Sequence, residues 1–445
     1  MTAAQGPAVG FREAFRFWLK LGFISFGGPT GQIAIMHAEL VERRRWISES
    51  RFLHALNYCM LLPGPEATQL ATYIGWLMHR TWGGIAAGVL FVLPSVVMLI
   101  ALAWIYLAWG NAPLVAGIFY GIKPAVVAIV LAAAWRIGSR ALRHPALWAM
   151  AAAAFVAIFA FDAPFPAIIV AAGLAGYFGG RLAPQVFASG SAHAPATAAG
   201  GAALIDDGAP APEHARFTWA RLARAVGTGL ALWAAAIGGL TAVFGWEGTL
   251  TQMAWFFTKA ALVTFGGAYA VLPYVFQAAV EDFRWVTAAQ MMDGLALGET
   301  TPGPLIMIVA FVGFVGAWGA QVFGPEAPGL AGIAGGVVAA FFTFLPSFVF
   351  IFAGAPFVET THGNLRFSAP LTGITAAVVG VVVNLALFFA WHVLWPRGWE
   401  GGFEPVSAVI GAAAFVALFR YKAGIIPVIG ACAAAGLVVT LLAAG

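Results

Sequence analysis

The chain has 445 residues, 62% of them hydrophobic and 9% charged; so little polar surface cannot cover a water-soluble domain, and composition places the chain in a membrane. The net charge of +4 comes with clustered arginines, which in a membrane protein report orientation and not a nucleic-acid partner. Continuous Ala-, Leu- and Gly-rich runs predict an all-α polytopic bundle and not a β-barrel of short alternating strands.

The N-terminal stretch, with Arg12, Glu13, Arg16 and Lys20 among aromatics, lacks the apolar core and small-residue site of a cleaved signal peptide, so it is expected to be retained. Residues 11 to 26 read as a helix that stops at Gly27-Gly28-Pro29. A short helix over 31 to 42 then ends at Arg43-Arg44-Arg45. Residues 50 to 61 and 66 to 79 read as two short helices hinged at Pro63-Gly64-Pro65, where missing amides interrupt the ladder. Full spans follow near 83 to 108, 113 to 135, 146 to 161 and 165 to 181. The stretch 184 to 216 is Ala, Gly, Ser and Pro rich and reads as a flexible polar linker. An unmatched apolar helix near 226 to 244 comes next. Two broken stretches, 250 to 281 and 288 to 316, precede spans near 330 to 353, 370 to 394, 404 to 419 and 424 to 443. Four parts are expected: 11–182, a first repeat; 183–216, a cytoplasmic linker; 217–245, a connecting helix; and 246–443, a second repeat.

The halves are related by a duplication. Lys20, Phe26-Gly27-Gly28, Val41-Glu42, Arg45-Trp46 and Pro63-Gly64-Pro65 recur 239 residues later as Lys259, Phe265-Gly266-Gly267, Val280-Glu281, Arg284-Trp285 and Pro302-Gly303-Pro304. Leu93-Pro94-Ser95 and Gly121-Ile122 answer Leu345-Pro346-Ser347 and Gly373-Ile374 at a spacing of 252, so the second copy carries 252 − 239 = 13 extra residues, expected around Pro325 to Gly336. Lys and Arg number 16 in residues 1–225 and 6 in 226–445, summing to 22. With each broken stretch a hairpin, the first half satisfies the positive-inside rule, with a cytoplasmic N-terminus. The unmatched helix then flips the second half, which predicts inverted-topology repeats.

Interruptions at membrane depth are tolerated where backbone is buried in protein or lines a polar cavity. Helix N-termini at Glu66 to Thr68 and Leu305 to Met307 would direct free amides and the positive dipole end inward, which suits an anion. Lys20 and Lys259 are the only lysines matched between the halves. Intramembrane lysines are candidates for function, although Lys20 can also snorkel. Glu66 and Glu299 flank the two Pro-Gly-Pro turns at positions that are not repeat-equivalent, and either could exchange protons. Asp293, Glu39, His37 and Asn57 are further polar candidates; for His37 and His54 a core hydrogen bond is the plainer role. Glu42 and Glu281, each three residues before Arg45 and Arg284, are expected to pair with them beside interfacial tryptophans. Gly84 and Gly88 have helix-packing spacing. Cys59 and Cys432 lie far apart in apolar runs, and neither a disulfide nor a metal site is expected. Phosphate-loop and dinucleotide signatures are absent from the sequence, so no cofactor and no enzymatic activity is expected.

Ser25-Phe26-Gly27-Gly28-Pro29 through Gly31-Gln32, the run from Glu39 to Trp46, and Asn57 to Gln69 together resemble the chromate ion transporter family in its long, two-domain form; Thr264 to Gly267 and Pro302 to Pro304 resemble its other copy. The resemblance implies an inner-membrane exporter of chromate driven by the proton motive force, with sulfate as the structural mimic. The anion-binding set is expected among Lys20, Gly27, Gly28, Asn57, Pro63, Gly64, Pro65, Thr68, Lys259, Gly266, Gly267, Pro302, Gly303 and Pro304, with Glu66 and Glu299 coupling protons. A carrier for another oxyanion and a channel remain open, a membrane enzyme ranks last, and a homodimer is left open.

Overall fold

A computed structural model describes residues 9–26, 28–110, 112–187, 203–206, 212–361 and 368–444. Gly27, most of the linker and Arg366 lie outside the described residues. The described chain is all helical apart from one isolated β-bridge. In chain order the helices are α1 (Phe11–Ile24), α2 (Gly28–His37), α3 (Glu49–Leu61), α4 (Glu66–Trp109), α5 (Pro113–Ala141), α6 (Pro145–Phe161), α7 (Phe165–Leu182), α8 (Pro184–Phe187), α9 (Trp219–Phe244), α10 (Thr249–Leu262), α11 (Ala268–Phe276), α12 (Ala288–Thr300), α13 (Ile308–Gly319), α14 (Pro328–Thr361), α15 (Ser368–Leu394), α16 (Pro405–Phe419) and α17 (Ile425–Ala444). Seven are long and apolar enough to cross a membrane; α6, α13 and α16 are shorter.

α4 is two arms rather than one rod. Its dihedrals leave the helical region at His79 and Arg80, where Arg80 takes φ 58°. Gly75 then lies against Gly83 and Ala87, and Gly88 against Thr72, so the arms run side by side with small residues where backbones approach. The same close approach joins α13 to α14 through Gly313 and Gly335. The turn that α4 makes at two residues is replaced there by a connection over 320–327. The extra residues of the second copy therefore begin a little earlier than 325.

Matched local geometry runs through both halves. Arg45 and Arg284 adopt φ 53° and 55°, Gly28 and Gly267 69° and 93°, and Gly64 and Gly303 123° and 103°. π-helical turns follow α2 at Ala38–Arg43 and α11 at Gln277–Asp282.

The helices form two bundles. One holds the broken helices, α1 to α4 and α10 to α14, with α9 on its flank. The other exchanges partners between the halves: α5 packs on α16 and α17, and α15 on α6 and α7. Gly121 of α5 meets the backbone of Cys432 and Gly436, while Gly373 of α15 meets that of Ala172 and Gly176. Neither half could bury its own helices alone. Within the linker stretch, residues 203–206 are bound to the first hairpin: Leu204 and Ile205 donate to the carbonyls of Arg45 and Trp46, and Ser48 donates to Ile205.

The expected Glu42 to Arg45 pairing is not formed. The π-turn and the left-handed Arg45 rotate the pair apart; Glu42 faces His37 at 3.2 Å, and Glu39 takes Arg43 and Arg44. Trp46 is 5% exposed and packs on Phe17 with the Arg44 guanidinium 5.0 Å from its ring, so it is a core residue and not an interfacial anchor.

The helix exchange yields a direct expectation. A side chain at Gly121 would collide with the Cys432 carbonyl, whereas Gly430 has open space. Gly121→Val should lower the thermal stability of the purified protein by about 1–3 kcal/mol, and Gly430→Ala should leave the melting curve unchanged.

Candidate functional site

Each of the two Pro-Gly-Pro turns is tied to the other half of the chain. The Gly64 amide donates to the Thr264 carbonyl and the Gly303 amide to the Ser25 carbonyl, both at 2.7 Å. Ser25 and Thr264 are repeat-equivalent, as are Gly64 and Gly303, so this exchange is the contact pattern that a two-fold relation produces. The flanking side chains repeat it. Gly64 lies against Ser347, and Gly303 against Ser95. The positive φ at each glycine leaves no room for a Cβ, which accounts for glycine between the two prolines.

These bonds occupy the Gly64 and Gly303 amides, so the free donors are elsewhere. α4 starts at Glu66 with Pro65 before it and no side-chain cap, leaving its first-turn amides without intrahelical partners. The second turn leads through a 3₁₀ turn, Leu305–Met307, also uncapped. Around these ends, Thr68 and Ser95 are 0% and 1% exposed, and their hydroxyls have no protein partner. An unsatisfied buried hydroxyl is costly, and a bound oxyanion would satisfy it. Gln32 Nε2 donates to the Gly303 carbonyl at 2.5 Å, and Gln69 Nε2 to the Pro63 carbonyl at 2.8 Å. These two amides brace the turns.

The expected residues separate into groups. Glu66, the first residue of α4, places Oε2 beside Gly267, with Pro29 next to the same glycine. Gly266 faces the Thr375 hydroxyl. Glu299 accepts a hydrogen bond from Tyr269 and lies within electrostatic reach of Arg136. Glu66 and Glu299 are thus held by different surroundings. Lys20 is exposed, and Lys259 sits 5.8 Å from the Trp255 ring centre; neither is among the groups bonded around the turns. Asn57 is exposed on α3. His37 bridges Glu42 and Glu49.

A second buried polar cluster joins α5, α12 and α4. Asp293 is 2% exposed; its Oδ2 accepts from Tyr106 at 2.9 Å and lies 3.5 Å from Lys123 Nζ, while Oδ1 has no protein partner. Sequence reasoning passed over Lys123, Ser95, Gln32, Gln69 and Tyr269. Lys123 could have been found as an intramembrane lysine preceding Pro124. Ser95 lies in a repeat-matched triplet and Gln32 and Gln69 in the family-like stretches, but nothing there marked them, or Tyr269, as site residues, because polar uncharged residues in apolar helices are common.

The two halves are not docked alike. α11 and α12 pack against α5, α7, α15 and α17, whereas their counterparts α2 and α3 make no comparable packing with those helices among the described residues. Met60 is 49% exposed and Phe26 37%, while Ala296, the counterpart of Asn57, is 1% exposed. The Lys123–Asp293 pair lies within the docked side, and the equivalent positions hold different residue types, Thr375 and His54.

Comparison with known proteins agrees with this architecture. The family described as chromate transporter matches residues 12–177 and again 251–437. A chromate transport protein of Pseudomonas aeruginosa is 32% identical over 445 residues, covering 98% of this chain and 94% of its own length. One of Cupriavidus metallidurans is 28% identical over 386 residues, covering 86% and 84%. An uncharacterized transporter of Bacillus subtilis matches over 129 residues, 29% of this chain but 72% of its own length, so that relative has about the length of one repeat. No solved structure matches the chain. With the family matched in both halves and a relative of this identity aligned along nearly its whole length, the chain belongs to the chromate transporter family, as an all-α, multi-pass membrane protein.

Proposed function

We propose that the protein is an inner-membrane secondary carrier that exports chromate in exchange for protons, by alternating access between two dockings of its repeats related by the pseudo-two-fold axis. The observation that carries this reading is the lopsided docking of a symmetric centre. When two halves share one backbone design, an arrangement with α2 and α3 docked and α11 and α12 released is accessible in the same geometry, with side-chain differences such as Lys123–Asp293 against Thr375 and His54 setting the balance between the two states. A channel would not need them.

The oxyanion is held at the uncapped start of α4, by first-turn amides and the Thr68 and Ser95 hydroxyls, with the glycine pairs giving close backbone approach and Lys20 or Lys259 balancing charge. A potential of about 100 mV, inside negative, favours expulsion of each negative charge by about 2.3 kcal/mol, hence about 4.6 for the dianion. Glu66 shares the anion's helix end, where its charge opposes a dianion. Glu299, held by Tyr269 at the docked face, is the better placed carrier of a returning proton. Sulfate, tetrahedral and of equal charge, would compete at the same site.

Three outcomes test this reading. In everted vesicles with and without a proton gradient, Glu299→Gln should abolish the gradient's stimulation of chromate uptake, and Glu66→Gln should lower the KM. Unchanged proton dependence in both variants would remove the carboxylates from coupling. Single cysteines at Ser50 and Ala289, both exposed, should label from opposite sides of the membrane, with Ser50 cytoplasmic; labelling from one side would sink the inverted topology. Lys123→Met strands the buried Asp293 and should lower stability by up to about 3 kcal/mol. Asp293→Asn, which leaves the more exposed lysine unpaired, should cost less, and the double variant should recover part of the loss in thermal unfolding.

A further inference from the structure

A groove of about 890 Å³ opens between the second arm of α4, α9 and α14. Its length is apolar, lined by residues such as Val89, Leu93, Leu232, Phe341 and Phe348. Its basic end gathers Arg80 from the kink of α4 and Arg221 and Arg224, one turn apart, from the start of α9. Arg80 and Arg221 both act electrostatically on His214, which lines the same end, so they converge on one place.

Nothing in the described protein neutralises these three charges: none of them pairs with a carboxylate. Glu359, within electrostatic reach of His214, is engaged by Arg51 and Tyr73. Arg221 is positioned by its own bonds, donating to the carbonyls of Glu213 at 2.8 Å and Arg216 at 2.6 Å. Burial holds the His214 imidazole below its ordinary pKa, although the neighbouring carbonyl of Trp76 acts in the opposite direction. The positive charge here is therefore that of the arginines.

The geometry points to a binding site for an acidic phospholipid, its phosphate headgroup held by Arg80, Arg221 and Arg224 and an acyl chain laid along the groove between α4, α9 and α14. Charge complementarity selects this occupant. A free inorganic anion would leave the apolar length uncovered, and a zwitterionic lipid would carry its own cation into the arginine cluster. Basic pockets between membrane helices hold acidic headgroups for this reason. The site is separate from the oxyanion centre at the Pro-Gly-Pro turns. α14 and α4 carry both, since Ser95 lies on the arm of α4 that forms the groove wall and Ser347 on α14. Occupancy would thus fasten α9 to the helices that brace the transport centre.

Native mass spectrometry of the full-length protein, after exchange into nanodiscs of equal phosphatidylglycerol and phosphatidylcholine, tests the assignment. Phosphatidylglycerol should be retained in preference to phosphatidylcholine, and excess inorganic phosphate should not displace it. The double variant Arg80→Gln/Arg224→Gln should weaken retention by about 30-fold, from about 1 kcal/mol for each arginine. Arg221 is left in place because it also holds backbone carbonyls. A photoactivatable phosphatidylglycerol analogue on the unmodified protein provides an arm that needs no variant, and it should crosslink at α9 and the second arm of α4. Equal retention of the two lipids, displacement by phosphate alone, undiminished retention by a folded double variant, or crosslinking spread evenly over the lipid-facing helices would each overturn the proposal.

Discussion

The structure depends on one pair of backbone hydrogen bonds, exchanged between the halves. Gly64 donates to Thr264 and Gly303 to Ser25. A Pro-Gly-Pro turn inside a membrane leaves backbone groups that water cannot reach, and a single repeat has nothing to offer them. The second copy supplies the missing acceptors. In this chain the two copies complete one another, since each turn amide finds its acceptor in the other copy. The exchange of α5 and α15 between the partners in the second bundle extends the same dependence to the periphery.

That closure is incomplete around the start of α4. The turn amides are satisfied, while the first turn of α4 and the Thr68 and Ser95 hydroxyls are not. A centre with every donor paired would be inert, and one with many unpaired would not be stable. The balance suits a ligand that brings its own acceptors and leaves again. Around that symmetric centre the two flanks dock unequally, and the Lys123–Asp293 pair belongs to the docked side.

Much of this was legible in the chain. The Gly-Gly and Pro-Gly-Pro breaks, the turn within 66–109, the connecting helix and most span positions follow from proline chemistry and apolar run lengths, which act locally. The 239-residue register also foretold which residues would be equivalent, and equivalence is what makes the exchanged bonds recognisable. Where the reading failed, the cause was local geometry. A π-turn before Arg45 moved the Glu42 and Arg45 side chains apart, and Trp46 was drawn into the core. Nor did the chain reveal that the Gly64 and Gly303 amides are taken by carbonyls of the other repeat.

From the sequence alone come the membrane class, the helical bundle, the duplication and the rarity of charge, because hydropathy, proline and repeat spacing are properties of residues in order. Only the tertiary structure decided which polar groups are left without partners, that Lys123 meets Asp293 across about 170 residues, and that one hairpin docks while its counterpart does not. Those depend on which backbones pass close enough to share a hydrogen bond, and two equivalent halves can settle that question differently.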